Sequence, residues 1–283
     1  MPSILRVQAS RAWHGRTWRY ATLVGFVVVA LSFAQSCLMF WGHDAAELPS
    51  AAVGWVGGEE TMRTPLMGLY RTILMPILAS SVFSDSLCLD IRDHVAACVS
   101  SRTSVRRYVC STDVIAFVGA VLVVLVPLVA SQALALVAFP LSGGGFGFLT
   151  YANESSSLVD QYSSLSSDGL LVGMLLNDRY LYNLVYILYD SLWAGLLALS
   201  SVAVSLYSHR SRLLVLELPA LVLLVSSALV PMGWNLCNYL APAPLMIVRY
   251  LSPGYFVLAP VVFLVAALAA IRHALGPSRD VLL

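Results

Sequence analysis

From Val114 to Phe139 the chain runs without a charged residue, mostly in Val, Leu and Ala. A helix of about 20 apolar residues crosses a bilayer core, and an uncharged run this long has few other ways to fold. That one stretch makes the chain a membrane protein, and it sets how the rest must be read. Five more apolar runs follow, two uncharged and three with a single charged residue (Arg71, Asp190 or Glu217), so the expected fold is all-α, a polytopic membrane protein with six transmembrane helices. The spans are placed at about 20–41, 67–83, 114–139, 180–207, 213–232 and 250–271, within a single transmembrane domain over 1–283. Composition agrees: the chain is 59% hydrophobic and 11% charged, against about 25% charged in a soluble domain. The first span follows Arg6 to Arg19 and is longer than a signal-peptide apolar region of roughly 7–15 residues, so it is read as uncleaved.

Arginine placement orients the spans. The proposed inner segments hold Arg6, Arg11, Arg16, Arg19, Arg92, Arg102, Arg106, Arg107, Arg210, Arg212, Arg272 and Arg279, which is twelve of sixteen. The outer segments and span ends hold Arg63, Arg71, Arg179 and Arg249, and Arg71 is placed to snorkel from the outer end of span 2. An excess of basic residues marks cytoplasmic loops, so both termini are expected in the cytoplasm. The acidic loop from Gly42 to about Thr64 and the polar, Ser-rich segment 140–179 are then external. Residues 1–19 carry Trp13 and Trp18 among their arginines, and two readings stay open: a helix on the inner membrane face, or a disordered basic tail.

The stretch from Ser84 to Asp113 joins spans 2 and 3 on the inner side. Cys88, Ile91, Val95, Cys98 and Val99 recur at three- and four-residue spacing, with Asp90, Arg92, Asp93 and His94 between them. This is the pattern of a short amphipathic helix. Ser100–Ser104 breaks it, and Arg106-Arg107-Tyr108 leads into span 3. A helix held at the inner face suits docking to a soluble partner. The alternative is a solvated connection whose arginines only set orientation.

Several chemistries are excluded or unsupported. All sixteen basic residues are Arg; without lysine there is no Walker A site and no lysine Schiff base. No HExxH motif or paired CxxC metal site is present, and no GxSxG. The five cysteines, Cys37, Cys88, Cys98, Cys110 and Cys237, read as free thiols. A net charge of +1 gives no nucleic-acid surface. No cofactor or metal is expected. Two carboxylates remain as candidates for a pathway. Asp190 lies near the middle of span 4, where a charged Asp costs about 2.5–3.5 kcal/mol on insertion scales. Either it serves a substrate or proton site, or it is hydrogen-bonded to neighbours such as Tyr186, Tyr189 or Ser191. Glu217 lies one turn inside Arg210 and Arg212; an interfacial salt bridge accounts for it, and a role in transmitting motion is the other reading.

The region from span 2 into span 3 resembles the permease subunits of ATP-binding-cassette exporters of the ABC-2 type. The residues that carry the likeness are Pro76-Ile77-Leu78-Ala79-Ser80-Ser81-Val82-Phe83, then Asp85 and Asp90, then Ser101-Arg102-Thr103-Ser104, Arg106-Arg107-Tyr108 and Ser111. The six-span layout, Pro219 and Leu251-Ser252-Pro253 look similar too. Where the family often has Gly after the acidic residue, this chain has His94-Val95-Ala96-Ala97. The resemblance implies an ATP-binding-cassette ATPase subunit as partner, docked on Asp90, Arg92, Asp93, Val95, Arg102, Ser104, Arg106, Arg107 and Tyr108. It also implies a second permease, either a copy of this chain or a sister subunit, and an exporter in which ATP-driven closure of the ATPases moves the spans. The chain itself is then not an enzyme. The competing expectation is an autonomous secondary transporter or channel centred on Asp190; a third is a non-transporting membrane protein. The all-Arg basic set is what a GC-rich bacterial coding sequence gives, and the expected location is the cell membrane.

Overall fold

The computed structural model describes residues 2–44, 48–58, 65–84, 86–93, 95, 98, 104–141, 170–208, 212–231, 233–240, 242 and 251–276. Every regular element among them is helical. α1 is Pro2–His14 and α2 is Arg16–Met39. α3, Pro65–Leu69, continues through a π-helical turn at Tyr70–Leu74 into α4, Met75–Ser81. α5 is Ser86–Arg92 and α6 is Val105–Ala138. α7, Val172–Asn177, leads into α8, Arg179–Tyr207. α9 is Arg212–Leu229, and a 3-10 turn at Leu236–Asn238 precedes α10, Pro253–Ala274.

α2, α6, α8 and α10 are long and apolar enough to cross a membrane, and α3 to α5 qualify together as a pair bent by 41°. In α9 the apolar part is shorter, Leu214–Val225. The outward faces carry Leu23, Val27, Leu31, Val118, Val126, Val257, Val261 and Val265, all exposed. A bilayer interior solvates such faces; water does not.

α8 is the centre of the bundle. It packs on α6, α10, α4, α9 and α5, and 78% of its apolar window is buried, against 17% for α10. Small residues allow this. A Cβ at Gly195 would lie 2.7 Å from the Phe117 ring and 2.9 Å from Val121 of α6, so the two helices approach at this glycine. Serines of α8 are satisfied within the helix: Ser191 donates to the Ile187 carbonyl at 2.7 Å and Ser201 to Leu197 at 3.1 Å. Its start is capped by Asp178, whose carboxylate accepts from the Leu181 N–H at 3.1 Å. α10 is joined to it by aromatic contacts, Tyr189 stacking on Phe256 at 3.9 Å and Trp193 meeting Phe263 edge-on at 5.3 Å.

Two details depart from the sequence reading and a third decides between its alternatives. α6 begins at Val105, nine residues before the expected Val114. Ser104 is extended (φ −67, ψ 134) and its carbonyl accepts from the Arg107 and Tyr108 N–H groups; charged residues do not stop a helix, and no Gly or Pro intervenes until Gly119. Of the two readings of the N-terminal residues, the helix is the one observed, as α1. And residues 48–58 of the 42–64 loop do not lie over the surface: Ala51, Ala52, Trp55 and Val56 are buried among the helices. Of the segment 140–179, residues 142–169 lie outside the described residues, as do Arg102 and Arg210.

Candidate functional site

Two charged centres are built into the bundle. The first lies where α1, α5 and α6 meet. Helical spacing puts Gln8 and Arg11 of α1 on one face, toward α6 and α5. Gln8 donates to Thr112 at 3.1 Å. Arg11 donates through both terminal nitrogens to Asp90, Nη1 to Oδ2 at 3.1 Å and Nη2 to Oδ1 at 2.9 Å. Tyr108 donates its hydroxyl to the same carboxylate. A two-pronged Arg–carboxylate bond fixes orientation as well as distance. The hydrogen bonds it donates to Asp90 hold the Arg11 guanidinium above its ordinary pKa, against the opposing effect of partial burial. Asp90 is 4% exposed. Its carboxylate is therefore spent inside the chain, tying α5 to α1 and α6, and the loop ahead of α5 is tied to α8 by Ser84, which donates to the Ala198 carbonyl at 3.2 Å.

The other residues singled out as a docking surface divide by exposure. Arg92 and Asp93 are exposed and pair with each other at 3.2 Å, a contact worth little in water. Val95 is 40% exposed, and Ser104, Arg106 and Arg107 are exposed at the start of α6. Tyr108 is buried, on Asp90. An exposed rim of arginines thus borders a buried clamp.

The second centre lies inside the bundle. Arg71, in the π-helical turn, donates from Nε to Asp190 Oδ2 at 2.9 Å and from Nη1 to the Gly57 carbonyl at 2.9 Å. Both side chains are almost fully buried, at 2% and 0%. The expectation that Arg71 snorkels is corrected: it turns inward because Asp190 is there, and a buried carboxylate needs a cation more than a surface needs one. Of the neighbours considered for Asp190, Ser191 donates to its own helix and Tyr189 to the Phe256 carbonyl at 3.1 Å. At about 1.5 Å per residue, Asp190 lies about 17 Å along α8 from Arg179.

The partner on the third side was not visible in the sequence. Trp55 sits beneath the Arg71 guanidinium, 5.7 Å from ring centroid to Cζ, a cation–π arrangement. Its indole N–H donates to Ser131 Oγ at 2.6 Å. A Cβ on Gly57 would lie 2.3 Å from the Trp55 ring, so only glycine fits there. The signal was present in Ala51-Ala52-Val53-Gly54-Trp55-Val56-Gly57-Gly58, eight uncharged residues in a loop otherwise marked by its acids.

Glu217, the other pathway candidate, is exposed on α9, and it forms no ion pair among the described residues; the structure does not bring it to Asp190. No group of three or more His, Cys, Asp or Glu able to hold a metal ion occurs among the described residues. Compared with protein-family profiles, with characterised proteins and with solved structures, the chain matches none.

Proposed function

We propose that this chain is the membrane-spanning permease subunit of an ATP-binding-cassette exporter of the ABC-2 type. In this reading it has six spans with both termini in the cytoplasm, forms the translocation pathway with a second permease, and is driven by a separate ATPase docked on the 84–113 stretch. The observation that carries the reading is the Asp90 clamp. A docking segment must transmit force, so it must be fixed to the helices it moves. Asp90 fixes α5 to α1 through Arg11 and to α6 through Tyr108. The exposed Arg92, Val95, Arg106 and Arg107 beside it are then the docking residues, with Arg102, while Asp90 and Tyr108 hold the platform rather than touch the ATPase. Asp90 is for that reason the wrong residue to reverse in a docking test.

The test is a pull-down of tagged full-length chain from mild detergent. We expect a stoichiometric ATP-binding-cassette ATPase to co-purify, and to be lost in R106E/R107E while the chain keeps its gel-filtration profile. A well-folded chain recovered alone overturns the reading. That outcome favours an autonomous transporter or channel, for which the buried Asp190–Arg71 pair is the supporting observation, since an intramembrane ion pair is a functional-site hypothesis by default.

A further inference from the structure

The buried ion pair holds something else in place. Residues 48–58 descend between α6, α8 and the π-helical turn without forming a helix. Backbone of this kind at membrane depth is tolerated only where protein or a cavity satisfies its polar groups. Here side chains from three helical elements do so. The Ala51 carbonyl accepts from Gln132 at 3.2 Å, the Ala52 carbonyl from Asn183 at 2.8 Å and the Gly57 carbonyl from Arg71 at 2.9 Å. Asn183 also donates to Gln132 Oε1 at 2.9 Å, and the Ala51 N–H reaches the Pro140 carbonyl at 2.9 Å. Asn183 lies about 6 Å and Asp190 about 17 Å along α8 from its start, so the segment reaches from the end of the bundle down to the ion pair.

The lower contact is incomplete. Arg71 Nη2, Asp190 Oδ1 and the Tyr70 hydroxyl are buried without a hydrogen-bond partner among the described residues. Native interiors rarely leave such groups unpaired, and each instance calls for an explanation. The helix that carries Arg71 and Tyr70 is itself irregular at that point, a π-helical turn, and π-turns recur at functional sites. Incomplete pairing, irregular helix and irregular loop meet at one residue.

We propose that residues 48–58 are a plug that closes the outer end of the bundle, and that Arg71 is its latch. Held by Asp190, the guanidinium grips the plug by the Gly57 carbonyl and the Trp55 ring; release of these two contacts, with Trp55–Ser131, lets the segment withdraw while Arg71 stays on Asp190. The plug rests on the reading of the chain as a transport protein, but its test does not use transport.

The five native cysteines are replaced in the full-length chain, and a single cysteine is placed at Val56, buried in the plug, or at Leu141, 67% exposed beside the plug's entrance. A membrane-impermeant maleimide is applied to intact cells and, for the opposite orientation, to inside-out vesicles; the side on which L141C reacts is the side scored. We expect V56C to react far more slowly than L141C. We expect it to speed up roughly five- to tenfold when the latch is weakened by R71K, in which an ammonium replaces the planar fork that reaches both Asp190 and Gly57, or by W55F, which removes the bond to Ser131. W55F keeps the test decisive if R71K fails to fold. V56C reacting as fast as L141C overturns the plug. V56C remaining unreactive in every folded latch variant overturns the latch and makes the segment a fixed part of the wall. Failure to recover an ATPase leaves both results as they stand.

Discussion

Arg71 and Asp190 are each other's reason for being buried. Taking two ions out of water costs several kcal/mol per ion, which their attraction recovers only with good geometry. Here the geometry is partial, since one oxygen of Asp190 and one nitrogen of Arg71 are unpaired among the described residues. The pair is therefore a weak source of stability, although either ion alone is a severe liability. Asp190→Leu should lower stability by about 3–5 kcal/mol, because it strands a buried guanidinium. The double variant Arg71→Met/Asp190→Leu should recover most of that loss. Thermal unfolding in detergent of the two singles and the double closes the cycle. A double variant as unstable as the sum of the singles would mean that the two residues act independently and that the 2.9 Å contact carries no energy.

At the scale of elements, close packing depends on where bulk is missing. α6 and α8 touch at Gly195, where a methyl group would enter the Phe117 ring. Gly195→Ala should cost about 1–3 kcal/mol as overpacking, and Phe117→Leu in the same chain should return part of it. If both variants unfold at the temperature of the parent, the helices do not meet there. This contact also shows what was legible in the sequence. Apolar length placed the helices within a few residues, apart from the charged first turns of α6, because a bilayer's thickness is written directly as run length. The central place of α8 is not written in run length; its signal was polarity, since α8 carries Asn183, Asp190 and four serines where α10 has none of these, and its mean hydropathy is 1.6 against 2.4. Asp190 was legible as an anomaly. Its partner was not, since pairing across 119 positions leaves no local pattern, and Arg71 read alone looks like any arginine near a helix end. The buried plug was masked by the acids that flank it. Asp90 was found, but its role changed once Arg11 was seen against it, a contact that periodicity within 84–113 has no means to reveal.

For the molecule as a whole, the decisive question is whether α9 crosses. Four helices are long and apolar enough to cross, and the bent α3–α5 pair makes five; an odd number would put the termini on opposite sides. The proposed six-span reading needs α9 to cross, and its contacts run the length of the bundle. Tyr207, at the end of α8, donates to the Ala270 carbonyl near the end of α10 at 2.9 Å, so those two ends lie together. α9 starts at Arg212 beside that end and runs along α4 to the π-helical turn. Beyond it, Tyr239 donates to the Gly233 carbonyl at 2.7 Å and accepts from the Ser252 N–H at 2.9 Å, at the start of α10. α9 thus leads from one end of the bundle to the other. Arg6, Arg11, Arg16, Arg19, Arg92, Arg106, Arg107 and Arg272 all gather at the end where α1 lies, and Arg179 stands at the opposite one. With Arg71 withdrawn into the core, the arginine asymmetry is sharper than the count along the chain gave. Fluorescent reporters fused at the N-terminus and after Leu283 should both be bright, and an alkaline phosphatase reporter inserted after Leu141 should be active only outside the cytoplasmic membrane. Bright fluorescence at one terminus and none at the other would mean that α9 or the bent pair fails to cross, and the six-span permease would fall with it.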